Sequence, residues 1–210
     1  MYIKLFLLTI AVLLFSGCVA GNTHSYTVKP KLDLYFNKSV TVGVLDNRSE
    51  IVLNKETPDH VGYNRGAYGI PFTITTESKK PLAVDMTKCI VTAFSDIGIT
   101  AKSAELLPGT SITDSLEILK KNSSDFLILL VLNRWQMTVY HSTIVDHDVT
   151  FTIYDKLGKV LVAREKSGEL NLGANPFAAG SYASMVSPEY FAKMMESFFQ
   201  NRGVIAVLEK

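Results

Sequence analysis

Two thiols, four imidazoles and a few closely spaced charges are the groups in this chain that could do chemistry. Cys18 follows Ser16-Gly17 at the end of an apolar run, and Cys89 stands alone far downstream. His141, Asp146, His147 and Asp148 fall close together, and imidazole with carboxylate is a metal-ligand set. Strand alternation separates them: His147 shares a face with Val145 and Val149, while Asp146 and Asp148 point the other way. We therefore expect a satisfied strand histidine with solvated acidic neighbours, and no metal. Cys89 recurs with Met86, Ile90 and Ala93 at helical spacing, and its neighbour Lys88 lies on another face, so the thiol reads as buried and inert. Asp46 and Arg48, two apart after a strand, sit on one side and read as a structural bridge. Tyr63, Arg65 and Tyr68 are residue types that anchor protein interfaces. They either hold a partner or pack their own loop onto the sheet. No G-x-S-x-G elbow, phosphate-binding loop or dinucleotide fingerprint occurs, so no catalytic residue is expected.

The start of the chain reads as a targeting segment. Lys4 precedes an apolar run from Leu5 to Phe15, followed by Ser16-Gly17-Cys18. A short basic region, an apolar stretch and small residues at the cut form a secretory signal. The run is too short for a membrane-spanning helix, which needs about 20 residues. A cysteine directly after Ser-Gly resembles the lipobox of bacterial lipoproteins, with Phe15 where leucine is usual. The resemblance implies that residues 1–17 are removed and that Cys18 carries a covalent lipid. With Val19 in place of aspartate, it also implies an outer-membrane location facing the periplasm. Residues 19–27 are small and polar, so 18–27 reads as a lipidated tether.

Bulk composition narrows the remaining classes. Apolar residues make up 47% and charged residues 20%, as in globular domains. A net charge of +1 without a basic stripe leaves no footprint for nucleic acid. With Cys18 lipidated, Cys89 has no partner and a disulfide framework is excluded. No second long apolar run exists, and no cofactor beyond the lipid is expected.

The elements that would position these groups follow from periodicity. Residues 28–210 read as one domain. Val28–Tyr35 suggests an edge strand, and Val40, Val42 and Val44 alternate as a clear one. Residues 50–80, with five Gly and Pro residues, read as a long loop with a short strand near Phe72–Thr75. Pro81 opens an amphipathic helix that Gly98 ends, and Thr113–Asn122 forms a shorter one. The continuous apolar run Phe126–Leu132 belongs at the centre of a sheet. Strands over Thr143–Tyr154 and Val160–Leu172 follow, joined by a turn at Asp155–Lys159. Residues 173–186 read as loop, and Ser187-Pro188-Glu189 as the start of the last helix. Val204–Leu208 fits either a short strand or a last helical turn. The expected fold is α+β: a mostly antiparallel sheet with two main helices on one face.

One set of features carries a family resemblance. A lipobox, a V-x-V-x-V strand ending in Asp-x-Arg (Val40 to Arg48) and a helix followed by Gly98-Ile99-Thr100 come first. A buried strand, a meander and a C-terminal R-G-V-I-A-V-L segment complete it. Together they resemble the YajG-type envelope lipoproteins and, more distantly, the periplasmic α/β module of the curli-secretion lipoprotein. The resemblance implies a non-catalytic binding or assembly module with an envelope protein as partner and the membrane reached through its lipid. The rival expectations are a subunit of a secretion or pore complex and a hydrolase or metalloenzyme.

Overall fold

The apolar run Phe126–Leu132 dictates the architecture. Phe126, Ile128, Leu130 and Leu132 enter the larger core, while Leu127, Leu129 and Val131 enter a smaller one on the opposite face. A strand covered on both faces has no polar side, which is why the run is unbroken. The computed structural model describes residues 22–210. The expected signal segment, Cys18 and residues 19–21 lie outside the described residues.

In chain order the strands are β1 (Thr23–His24), β2 (Val40–Asp46), β3 (His60–Arg65), β4 (Pro71–Thr76), β5 (Ala101–Ser103), β6 (Phe126–Val139), β7 (Thr143–Asp155) and β8 (Val160–Asn171). The helices are α1 (Ser49–Val52), α2 (Leu82–Asp96), α3 (Ile112–Lys120), α4 (Ala179–Phe199) and α5 (Arg202–Leu208). All eight strands share one sheet in the order β1-β4-β3-β6-β2-β5, with β7 and then β8 continuing from β6. β2 and β3 share one edge of β6: β2 pairs with residues 126–132 and β3 with 137–139. β7 runs along the other edge for its whole length.

The fold is α+β as expected, but the sheet is mixed rather than mostly antiparallel. β1–β4, β2–β5, β2–β6 and β3–β6 are parallel, whereas β3–β4, β6–β7 and β7–β8 are antiparallel. Alternation along a strand reports its faces and says nothing of its neighbour's direction. Direction comes from connections, and here β2 and β3 return to β6 only after long excursions through other elements. Helices α2, α4 and α5 fill the larger core. α3 covers the other face, where Leu119 meets Leu45, Leu127 and Leu129. α2 ends as anticipated: Gly98 takes φ +81°, Gly98 N–H donates to the Ser95 carbonyl and Ile99 N–H to that of Phe94, the paired bonds of a Schellman cap.

Four stretches depart from the sequence expectation. First, the expected tether from Asn22 onward is built into the domain: Thr23 and His24 pair with Thr75 and Thr76, and Tyr26 is buried. Second, Val28–Tyr35 is a strap over the helices and not a strand. Its backbone is held by side chains, with Lys31 N–H donating to Glu196 at 2.8 Å and Tyr35 N–H to Glu209 at 3.0 Å. Its apolar residues face helices, with Leu34 buried and Phe36 edge-on to Phe94.

Third, residues 50–80 hold most of α1 and then the β3–β4 hairpin, which lies inside the sheet. The glycine that suggests a loop serves close approach: a Cβ on Gly62 would lie 2.0 Å from the Met137 carbonyl oxygen, at a register shift in β3. Fourth, the last long helix starts at Ala179 and runs through Pro188. The Gly/Ala/Ser composition of 173–186 reflects tight packing, since Gly180 abuts Asn22 and Ala183 is fully buried. Val204–Leu208 lies within a short helix, α5, capped by the Asn201 side chain on Gly203 N–H at 3.0 Å.

Candidate functional site

The most heavily bonded polar group lies where β2 leaves β6 and β3 takes its place. The chain turns at Asp46-Asn47-Arg48, which leaves the edge of β6 beyond Leu132 unpaired until residue 137. Arg48 fills that gap. Its Nη1 donates to the carbonyls of His60 (2.8 Å) and Trp135 (3.2 Å), while Nε and Nη2 donate to the two oxygens of Asp46 at 2.9 and 2.7 Å. Both residues are essentially inaccessible to water. Burying two charges is costly, and here five donor–acceptor contacts compensate, including Arg48 N–H to Asp46 at 3.3 Å. Both Asp46 oxygens are taken up by Arg48, so the pair clamps strands and presents no free acid or base. The two residues do meet each other, as their spacing predicts.

Trp135 carries a second buried chain of polar groups. Its indole N–H donates to the Tyr26 hydroxyl at 2.9 Å, and that hydroxyl meets Ser187 Oγ at 3.0 Å. Burial pushes the Tyr26 phenol up to about 12. Tyr190 stacks on Trp135 and meets His147 Nε2 at 3.0 Å. Sequence reasoning placed Tyr26 in a tether and Ser187 at a helix start. The available signal was an aromatic residue with a polar tip in an otherwise small, polar stretch.

The histidines are scattered. His24 is fully buried with neither ring nitrogen bonded, and burial lowers its pKa to about 4. His60 is buried beside Glu56, and desolvation outweighs that carboxylate to lower its pKa. Burial also lowers His147. His147 lies in the sheet against Tyr190, while Asp146 on the opposite face bonds Arg134 at 2.9 Å. His141 lies tilted against Tyr140 in the β6–β7 turn. Among the described residues, no three His, Cys, Asp or Glu side chains converge on one point.

Of the three interface candidates, Tyr63 and Arg65 lie two apart on one face of β3, whereas Tyr68 lies in the β3–β4 turn. Tyr63 is half-buried, lies tilted against the His60 ring with centroids 4.8 Å apart, and donates its hydroxyl to Glu56. Arg65 Nη1 reaches across the hairpin turn to the Gly69 carbonyl at 3.2 Å. Arg65 is exposed as well, and Tyr68 projects fully from the turn, 98% exposed. Cys89 is buried, its thiol donates to the Val28 carbonyl, and desolvation pushes it up to about 12. A cavity of about 340 Å³ lies beside it, between the N-terminal segment and α2, where Ser78 already bonds Asp85.

The most open feature is a strand edge. β8 is twelve residues long, pairs with β7 on one side, and pairs with no strand on the other among the described residues. Arg164, Glu165, Lys166 and Glu169 mark it with alternating charge, the pattern that keeps an edge from unspecific pairing. The other margins are two- and three-residue strands, β1 and β5. None of the described helices is long and apolar enough to cross a membrane.

No known protein family matches this sequence, and no curated protein is similar to it. Solved structures do show relatives in shape. A Xanthomonas campestris protein of the DUF330 family is similar at a TM-score of 0.54 and 13% identity, over 90% of this chain and 95% of that one. At that identity the likeness is one of fold. PelC, a dodecamer from Paraburkholderia phytofirmans, gives a TM-score of 0.45 at 15% identity over 81% of this chain and 92% of its own. The lipoprotein GNA1162 of Neisseria meningitidis gives 0.29 at 13% identity over 72% of this chain and 96% of its own. Both scores are too low to carry anything across. None of the three is named as a YajG-type protein.

Proposed function

We propose that this chain is a lipid-anchored cell-envelope module that binds a protein partner without catalysis. Cys18 carries the lipid and holds the domain to the outer membrane, facing the periplasm. The YajG-type resemblance of the sequence belongs to the same reading. The observation that carries it is the free edge of β8. Along twelve residues, the side of β8 turned away from β7 presents the backbone donors and acceptors of alternate residues to an extended segment of another protein. The buried polar groups support binding over chemistry, because Asp46, Arg48, Tyr26 and Cys89 are engaged within the fold.

Two experiments test the two halves of this reading. Cys18→Ser is expected to abolish fatty-acid labelling and release the domain from membranes; a variant still labelled refutes the anchor. A photo-crosslinking residue at Lys166, on β8, is expected to capture an envelope protein that the same residue at Glu117, on α3, does not. Equal capture at both positions refutes the edge.

A further inference from the structure

We propose that one end of the sheet rests on the phospholipid surface into which the Cys18 lipid inserts. This inference deepens the anchored reading above and rests on it. Three connections form that end. β3 runs parallel to β6 with Asn64 opposite Val139, so the β3–β4 turn lies beside the β6–β7 turn. β8 ends opposite Ile144, at the start of β7. The segment after it leads into α4, whose Tyr182 hydroxyl donates to the Leu172 carbonyl at 2.8 Å.

The chain enters the fold from the same end. β1 is parallel to β4, with Thr23 opposite Thr75, so reading back from Thr23 leads along β4 towards Pro71. Asn22 lies against Gly180, in the first turn of α4. Cys18 precedes Asn22 by four residues, about 14 Å of chain at full extension. The opposite end, at Phe126 and the Asp155–Lys159 turn, stands about 45 Å away along fourteen residues of β6. A lipid on Cys18 therefore holds the Pro71 end close to the bilayer and the other end far from it.

Surface chemistry matches that placement. Tyr68 and Phe177 are each 98% exposed, with Ile70 and Tyr140 exposed nearby. Residues 66–71, 140–142 and 172–178 contain no Asp, Glu, Lys or Arg, although a fifth of the chain is charged. Lys38, Asp125, Lys156, Lys159 and Glu209 cluster instead at the far end. Isolated exposed apolar residues are ordinary. Three separate loops that are uncharged, tipped by aromatic rings and adjacent to the anchor fit the interfacial zone of a bilayer, where the amphipathic rings of Tyr and Trp concentrate. In this pose β8 stands along the membrane normal, with its free edge reaching into the periplasm.

The test uses the full lipidated protein in vesicles of phosphatidylethanolamine and phosphatidylglycerol. An environment-sensitive fluorophore is placed at Tyr68→Cys or Phe177→Cys, and at Tyr35→Cys or Leu157→Cys on the far end. Cys89 is buried and does not compete for label. Spin-labelled lipid is expected to quench the first pair strongly and to leave the second pair unchanged. Mass spectrometry of the N-terminus separates the two readings. An acylated Cys18 with all four positions quenched alike overturns this orientation alone. Protection at 68 and 177 that requires an added envelope protein overturns it in favour of a protein interface. An unacylated Cys18 overturns the anchor and the orientation together. A thermal melt matching the parent's confirms that each labelled variant is folded.

Discussion

At the scale of single residues, stability concentrates in polar groups that the core has closed over. Arg48 is the clearest. Arg48→Met leaves Asp46 charged and unpaired and orphans two strand carbonyls, a loss expected to cost about 3–5 kcal/mol in urea melts. Replacing Asp46 and Arg48 together by apolar residues is expected to cost less than the sum of the single changes, because neither charge is then stranded. His24 makes the stability of the fold depend on pH. Its folded pKa of about 4 lies below the usual 6.5. Above about 6.5 the ring is neutral in both states. Between about 6.5 and 4 the unfolded chain takes up a proton that the native state refuses, so stability falls as pH falls through that window. The loss reaches about 3 kcal/mol at full linkage. His60 and His147 are shifted in the same direction and add to the slope. His24→Phe is expected to flatten the dependence, measured as denaturant midpoints across that window.

At the scale of elements, the β3–β4 hairpin is structural before it is anything else. Val61 and Ile74 are fully buried, and β3 pairs with β6 in the middle of the sheet. Deleting residues 54–78 is therefore expected to remove cooperative unfolding altogether, rather than to abolish one interaction and spare the fold. A deletion variant that still melts cooperatively would refute this. The Gly residues were legible in sequence but their purpose was not. Glycine marks a flexible turn and a close backbone approach alike, and only the neighbour of Gly62, the Met137 carbonyl, distinguishes them. The same ambiguity hid the first turns of α4. Small residues there make room for Asn22 and Ser187 meets Tyr26, contacts at sequence separations of about 160 residues.

At the scale of the whole molecule, the N-terminal segment is stitched into the core, and it would connect the anchor proposed at Cys18 to the fold. It adds a strand to one sheet edge, inserts Tyr26 under Trp135, crosses α2 and α4 as a strap, and delivers the chain to β2. A chain beginning at Val40 loses the buried Tyr26 and Leu34 side chains. Each buried side chain of this kind contributes about 1.5–3 kcal/mol. Removing the segment is therefore expected to lower the melting temperature sharply, as read by circular dichroism. A domain so stitched to its own N-terminal segment would transmit the position of the proposed lipid to its orientation, which a flexible tether would not do.

The amino-acid sequence by itself determined the local features of this protein. The buried run Phe126–Leu132, the α2 helix with its Gly98 end, the β7–β8 turn and the Asp46–Arg48 proximity all rest on neighbours within a few residues. Only the tertiary structure decided the direction of strand pairing, the use of glycines as close contacts, the strap made by residues 28–39, and the separation of Tyr63 and Arg65 from Tyr68. Those depend on partners distant in sequence. Periodicity reports which face of an element is apolar, and cannot say which other element will cover it.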